Sequence, residues 1–435
     1  MGYNQEREDL GNQMYNLIKN LYPICRSITG DGVRDTFKII KKYIPLEIFE
    51  VPSGTKVFDW TVPKEWNIKD AYIKNSKGEK IIDFNNSNLH ILNYSIPING
   101  VYKLKELKDH LFSLPDHPEW VPYLTTYYNK NWGFCLPHNQ LEKLKEDNYE
   151  VVIDSELKNG SLTYGEILIN GKSDHEILFS TYICHPSLCN DNLSGPVLLT
   201  FLIKQLIELK EKESLNYSYR FLFIPETIGA ICWLSLNEKK VNNIKTGLVV
   251  TCVGDSGYST YKRTRRGDAY IDKIVEKVLI DSNEPFNIID FFPSGSDERQ
   301  YSSPGFKLSI GSLVRSLYGC FPEYHTSADN LNFVKPEYLA NSFKKYFNII
   351  YILENNKKFI NLNPKCEPQL GKRGLYSTIG GKKLDEDDKM AMFWLLNLSD
   401  GENSLLDIAI RSNLLFSIIK NTSDILVKKG LLKKI

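Results

Sequence analysis

Residues 178–196 read LFSTYICHPSLCNDNLSGP. An apolar run ends at His185, a short loop delivers Asp191, and Ser194-Gly195-Pro196 opens a helical stretch. Two strong metal ligands thus fall at the carboxyl end of a predicted buried strand, where open α/β sheets keep their active sites.

Strands and helices alternate on either side of this stretch. Tyr149–Ile153 and Leu162–Ile169 read as strands, a candidate antiparallel pair, and Ile177–Ile183 as a continuous apolar strand. Downstream, the spacing predicts a helix over Pro196–Glu211, a strand over Tyr219–Ile224 and a helix from Ile228 to about Asn237. Then come a strand over Gly247–Cys252, a helix over Ile271–Leu279, a strand over Phe306–Ser312 and a closing helix over Pro336–Leu353. Apolar, non-alternating strands separated by helices predict an α/β fold, a mostly parallel sheet with helices on both faces.

Two further units flank this pattern. Helical spacing in 6–21 and 29–43 gives way to short alternating segments, among them Val57–Trp60, Ala71–Lys74 and Lys80–Phe84, separated by turn signals. Trp120, Tyr123, Tyr127, Tyr128, Trp132 and Phe134 follow, and either line a pocket mouth or fill a small core. After Asn361 the linker NPKCEPQLGKRG leads to helical segments Met390–Leu396, Ser404–Ile410 and Leu414–Lys429 and a short strand at Gly430–Lys433, the pattern of a winged helix. The expected domains are therefore 1–54 with 146–361 (α/β), 55–145 (an inserted β-rich domain) and 365–435 (a winged helix).

A length of 435 residues favours several domains over one core. A net charge of +1 gives no reason to expect nucleic acid or an anionic membrane as main partner. From Lys365 to Ile435, 12 Lys/Arg face 9 Asp/Glu. A DNA reader is usually more basic, so oligomerisation or a protein partner is at least as good a reading of the winged helix. No apolar run approaches the roughly 18–20 residues that span a bilayer. The amino terminus, MGYNQEREDLGNQ, is polar where a secretory signal is basic and then apolar, and eight cysteines form no disulfide framework. The expectation is a cytoplasmic protein with reduced thiols.

His90, His110, His117, His138 and His175 sit in polar or loop contexts without partner spacing. His185 and His325 instead lie near carboxylates: Asp191 near the first, Glu323 and Asp329 near the second. A catalytic zinc commonly takes three His, Asp or Glu ligands and leaves a position for water, a set that His185, Asp191 and His325 supply. Glu226, in FLFIPETIG, ends another apolar strand and is placed to act as general base. The plainer alternatives are a non-metal α/β domain with incidental histidines, and a Glu226 that merely complements a helix dipole.

The segments TYICHPSLCNDNLSGP, FLFIPETIGA, TCVGDSG, SGSDERQYSSPGF and FPEYHTSADNLNFV resemble, in order and relative position, zinc-dependent aminopeptidases of the co-catalytic metallopeptidase clan. The whole chain more closely resembles the bacterial aminopeptidase-like family found among surface-polysaccharide biosynthesis proteins. The resemblance implies a peptidase-like core with a β-rich insertion and a carboxyl-terminal winged helix. It makes His185 the first metal ligand, Asp191 the aspartate that bridges two metals in the aminopeptidases, Glu226 the general base and His325 the last ligand. Two carboxylates of that pattern are missing, with Thr227 after the base and Thr251 or Cys252 after the third strand. Each served a different metal, so one zinc ion is expected, and a second would need substitutes such as Asp255 or Glu323. Asp297, Arg299, Arg315 and Glu323 become candidate substrate-binding residues. The basic stretch Tyr261–Arg266 is either an anion site or a solvated loop, while Cys184 and Cys189 fit no common zinc spacing.

The implied function is zinc-dependent hydrolysis of an amide, in a small peptide or on an amide-bearing sugar linked to surface polysaccharide biosynthesis. The rival is an inactive pseudopeptidase that binds a partner through its winged helix. A DNA-binding regulator is the third reading.

Overall fold

A computed structural model describes residues 2–375 and 386–435. It divides into two compact units, Met1–Asp272 with Pro285–Lys344, and Lys273–Glu284 with Lys345–Ile435. The first is built on an eight-stranded sheet. Its strands are β1 (Glu47–Pro52), β2 (Ser161–Ile169), β3 (Glu176–Tyr182), β4 (Ser218–Ile224), β5 (Ile244–Val249), β6 (Ser259–Lys262), β7 (Phe286–Ile289) and β8 (Ile310–Val314). Their spatial order is β1-β2-β4-β3-β5-β8-β6-β7. The centre, β4-β3-β5-β8, is parallel, while β1, β2 and β6 pair antiparallel to their inner neighbours.

Every residue of β3, β4 and β8 is buried, which is why these strands read as apolar runs without alternation. Phe179 pairs across to Phe221 on one side and Leu248 on the other, so Phe179→Ala would cost about 3–5 kcal/mol. Helices α1 (Gly2–Leu21), α2 (Asp31–Ile40), α3 (Ser194–Lys212) and α4 (Ile228–Leu236) belong to this unit. In α3 the amino-terminal half is buried throughout, and its last turn carries Lys210 and Lys212, which complement the helix dipole. The fold is α/β, as the spacing predicts.

A second, four-stranded sheet in the same unit joins Lys80–Asp83, Glu65–Lys74, Asn148–Lys158 and Ile98–Lys103, all antiparallel. The expected pairing of Tyr149–Ile153 with Leu162–Ile169 is corrected here, because Ile153 lies opposite Ala71 and Ile98 instead. Asn148–Lys158 alternates buried and exposed positions, so it has one core face, whereas β2 is buried almost throughout and joins the main sheet. One of this sheet's two inner strands, Asn148–Lys158, begins after position 145 and is followed by β2.

Three other strand boundaries also differ. Val57–Trp60 is the turn of a hairpin between Lys56–Val57 and Trp60–Thr61, with Phe58 at φ 54°. Phe306–Ser312 becomes a strand only from Ile310, because Lys307 at φ 55° breaks extension. The strand expected over Gly247–Cys252 runs Ile244–Val249, and Cys252 has φ 49°. The short strands β6 and β7 carry no period long enough to read.

In the second unit, Lys358–Asn361 lies between Asp400–Ser404 and Leu432–Lys434 in a three-stranded sheet. Helices Glu386–Leu398, Leu405–Ser412 and Phe416–Lys428 pack around Ala391, Leu395, Leu405, Ile408, Ile419 and Leu426, giving a winged helix. Ser404 caps the middle helix reciprocally with Asp407. The first strand of this sheet precedes residue 365. Among the described residues, no helix is long and apolar enough to cross a membrane.

Candidate metal centre

The chain leaves β3 at Tyr182 and turns through His185 to Asp191 before entering α3. Two backbone N–H groups of that loop are fixed by one carboxylate. Asn190 donates to Asp329 Oδ1 at 2.6 Å and Asp191 donates to Asp329 Oδ2 at 2.8 Å. Asn192 donates to Thr181 Oγ1 and to the Tyr182 carbonyl, and its own Oδ1 accepts from Gly195. The buried guanidinium of Arg26 donates to the carbonyls of His185 and Pro186, both at 2.7 Å. His325 is delivered from another loop, at φ 55°, a left-handed conformation costing a non-glycine residue on the order of 1–3 kcal/mol. That loop is tied to the inserted segment, where Tyr123 donates to the His325 carbonyl and Ser327 to that of Val121.

The result is a convergence of three donors. Ligand atoms of His185, Asp191 and His325 all lie within 4.8 Å of one another, an arrangement able to hold a metal ion. Asp191 Oδ2 is 2.9 Å from His325 Nε2 and 3.9 Å from His185 Nε2. Both Asp191 Oδ2 and His325 Nε2 are buried without a properly formed hydrogen bond, as expected of atoms shaped to face a common cation. Burial lowers the His185 pKa to about 4, so its ring is neutral and free to ligate. Burial alone would raise that of Asp191, but His185, His325 and Tyr182 outweigh it and hold the carboxyl ionised. The other carboxylate oxygen, Oδ1, accepts from the Tyr182 hydroxyl, which also contacts Thr251 Oγ1 at 2.6 Å.

Glu226 follows β4 through Pro225. Its Oε2 is 4.0 Å from His185 Nε2, and its side chain is 24% exposed, the most open of the carboxylates at this centre. Burial raises its pKa well above the usual range, helped by Asp297 and Asp191, with Arg299 opposing. The next residue, Thr227, has φ 63° and donates its N–H to Asp297 Oδ1 at 2.7 Å, while Arg299 donates to its Oγ1 at 3.0 Å. Asp297 and Arg299 therefore stand directly behind the Glu226 turn. Asp297 is pushed up to about 7, chiefly by burial.

The remaining candidates divide. Arg315 is directed to the helix Pro336–Asn355, stacking on Tyr338 and donating to Asn341 at 2.8 Å. Asp255 is committed to neutral donors, accepting from Asn190, Ser316 and Gly257. Glu323 uses its backbone carbonyl to hold Thr326 in the loop that bears His325. Lys262 corrects the picture of Tyr261–Arg266 as a solvated basic loop. It is fully buried and paired at 2.6 Å to Glu298, the residue after Asp297. Cys184 keeps a proton because burial raises its pKa well above normal, and its sulfur accepts the Glu226 N–H.

Several neighbours make contacts that the sequence does not show. Tyr123 meets both histidine rings edge-on, with centroids 5.2 and 5.1 Å away, and Tyr324 stacks on His325 at 3.9 Å. Asp329 and Tyr182 act on Asp191. Tyr182 stands three residues before His185, but nothing in spacing shows that its hydroxyl turns to a carboxylate.

A model described as a domain of unknown function, DUF4910, matches residues 15–356. The chain belongs to the DUF4910 family. Residues 357–434 match a winged helix-turn-helix model. A Clostridium acetobutylicum protein whose name includes the words "polysaccharide biosynthesis protein with aminopeptidase-like domain" is 60% identical over 431 residues, covering 99% of this chain and 98% of its own. A crystal structure from the same organism superposes with a TM-score of 0.94 at 58% identity, covering 100% of this chain and 99% of that one. A zinc aminopeptidase from Bacillus subtilis gives a TM-score of 0.57 at 10% identity, covering 79% of this chain and 94% of that chain, which establishes the shared fold. The DUF4910 domain is thus an aminopeptidase-like α/β domain joined to a winged helix.

Proposed function

We propose that this protein is a zinc-dependent hydrolase of an amide bond, acting on a small peptide or on an N-acyl group of a sugar linked to surface polysaccharide biosynthesis. The observation that carries the reading is the convergence of His185, Asp191 and His325 beside the partly exposed Glu226. A neutral imidazole, an ionised carboxylate and two buried atoms without hydrogen bonds fit a zinc ion as donors. Such an ion, when bound, supplies Lewis acidity and lowers the pKa of water. Glu226 takes the proton of the attacking water on its carboxylate and passes it to the departing amine nitrogen. A cation held by His185, Asp191 and His325 would oppose the upward pKa shift of Glu226 and favour the ionised form that accepts the proton. Asp297 and Arg299 hold the Glu226 turn through Thr227.

One ion per chain is part of this reading. With Asp191 Oδ1 taken by Tyr182, a single oxygen of that carboxylate faces the histidines. Threonine at 251, itself hydrogen-bonded to Tyr182, supplies no carboxylate on the far side. The reading also places the enzyme in the cytoplasm, with the winged helix as an oligomerisation or protein-contact module. Its surplus of only three basic residues supports that role over DNA reading, and salt-sensitive gel-shift binding lost on truncation at Asn361 would reverse it.

The test is a panel of aminoacyl amides and N-acetyl sugars hydrolysed by wild type and Glu226→Gln. The variant should keep its zinc while kcat drops about 10²–10⁴-fold. Undiminished turnover with zinc bound would remove Glu226 from the chemistry.

A further inference from the structure

Four large aromatic side chains stand open to solvent beside the donor set: Phe58 (51% exposed), Trp60 (38%), Tyr127 (55%) and Tyr128 (42%). Three of them touch one another, while Phe58 meets Phe306, which packs against the core. Trp60 meets Tyr128 edge-on at 5.5 Å between centroids, Tyr127 lies nearly parallel to Tyr128 at 6.5 Å, and Phe58 reaches Phe306 at 5.9 Å. Two of them, Phe58 at φ 54° and Tyr127 at φ 51°, occupy the left-handed region that non-glycine residues avoid. Strained backbone that displays an aromatic ring to water serves no packing purpose, and such strain gathers at ligand sites.

Three connections place this cluster at the mouth of the site. The hairpin carrying Phe58 and Trp60 packs on α4, which begins two residues after Glu226. The segment carrying Tyr127 and Tyr128 is hydrogen-bonded to the His325 loop, through Tyr123 to the His325 carbonyl and through Ser327 to that of Val121. The Tyr127 hydroxyl also feels the charges of Glu226 and Arg299, its pKa being raised first by burial and then by Glu226.

We propose that Trp60, Tyr127 and Tyr128 form a stacking subsite for a pyranose ring, which presents its N-acyl group to His185, Asp191 and His325. This rests on the reading that the hydrolysed amide lies at those three residues. The choice of a sugar follows from the surface itself. A pyranose has an apolar C–H face and a rim of hydroxyls, matching half-exposed rings edged by phenol and indole polar atoms. An apolar amino-acid side chain is instead recognised by an enclosed pocket. The relative named for polysaccharide biosynthesis agrees with a sugar occupant.

The experiment is saturation-transfer NMR of N,N′-diacetylchitobiose on the full chain, zinc-loaded and metal-stripped, with phenylalanine amide as the peptide-like probe. The disaccharide should bind both forms. Trp60→Ala and Tyr128→Ala should each weaken it about fivefold, the effect of one lost ring contact, with Trp60→Phe restoring most of it. Matching thermal melts would show that the alanine variants fold. Wild-type disaccharide binding by both alanine variants, or binding of phenylalanine amide alone, would overturn the subsite. Disaccharide binding with no turnover of any member of the amide panel would keep the subsite and sink the hydrolase reading. Turnover of the disaccharide with KM unchanged in Trp60→Ala would do the reverse.

Discussion

The two loops beside the donor set are built in opposite ways. Along 189–195 nearly every polar group has a protein partner: Asp329 receives two N–H groups, and Asn190 and Asn192 each bond on both sides of the amide. Along 296–299 four buried polar atoms have none, namely Ser296 Oγ, Asp297 Oδ2, Glu298 Oε2 and Arg299 Nε. The first loop is a template, with its geometry decided before anything binds. The second keeps spare hydrogen-bonding capacity next to Glu226, and such capacity is costly unless water or substrate uses it. Catalytic sites need both features, a rigid donor set and groups left over for the reacting molecule.

The comparison breaks most visibly at Asp191. Asp191→Ala should reduce zinc affinity by at least about 100-fold, measured by competition with a chromophoric chelator, because it removes one of the three converging ligands. Weaker but still large is Asp329→Ala. It strands two buried N–H groups and should cost about 1–3 kcal/mol in denaturant unfolding. The same variant should lose about tenfold in zinc affinity, since Asp329 orients a ligand without touching the metal position. If Asp329→Ala binds zinc as wild type does, the template is not needed.

A smaller effect should come from the second loop. The Asp297 carboxyl titrates at about 7 when folded, against roughly 3.9 unfolded. A raised folded value means that the folded state holds the proton more tightly. Asp297 therefore stabilises most below pH of about 4, and that contribution is lost as pH rises through about 7. Asparagine cannot titrate, yet it can still accept the Thr227 N–H. Melting temperatures of wild type should consequently fall relative to Asp297→Asn between about pH 4 and 7 and run parallel to them above that window. A pH-independent difference would show that the carboxyl does not titrate there.

Much of this was legible in the sequence because the main-sheet strands are buried on both faces. Phe179, Phe221 and Leu248 lie in runs that admit no other reading. His185 and Glu226 were legible for the same reason, as polar residues just past the end of an apolar strand. Asn148–Lys158 misled because a half-buried strand alternates identically whichever sheet it joins, and only its long-range partners decide. Lys262 misled because a basic stretch gives no sign that one of its members is buried against Glu298. Tyr182 stayed invisible, and the roles of Asp329 and Tyr123 could not be read, because they depend on side-chain direction and on loops far apart in sequence.

The claim at the centre is that one metal ion sits among His185, Asp191 and His325, with the Tyr182 side of Asp191 closed. Anomalous diffraction at the zinc edge from zinc-grown crystals tests it directly. One full peak bounded by those three side chains is the predicted result. Two peaks sharing Asp191, or no peak at that position, would contradict it.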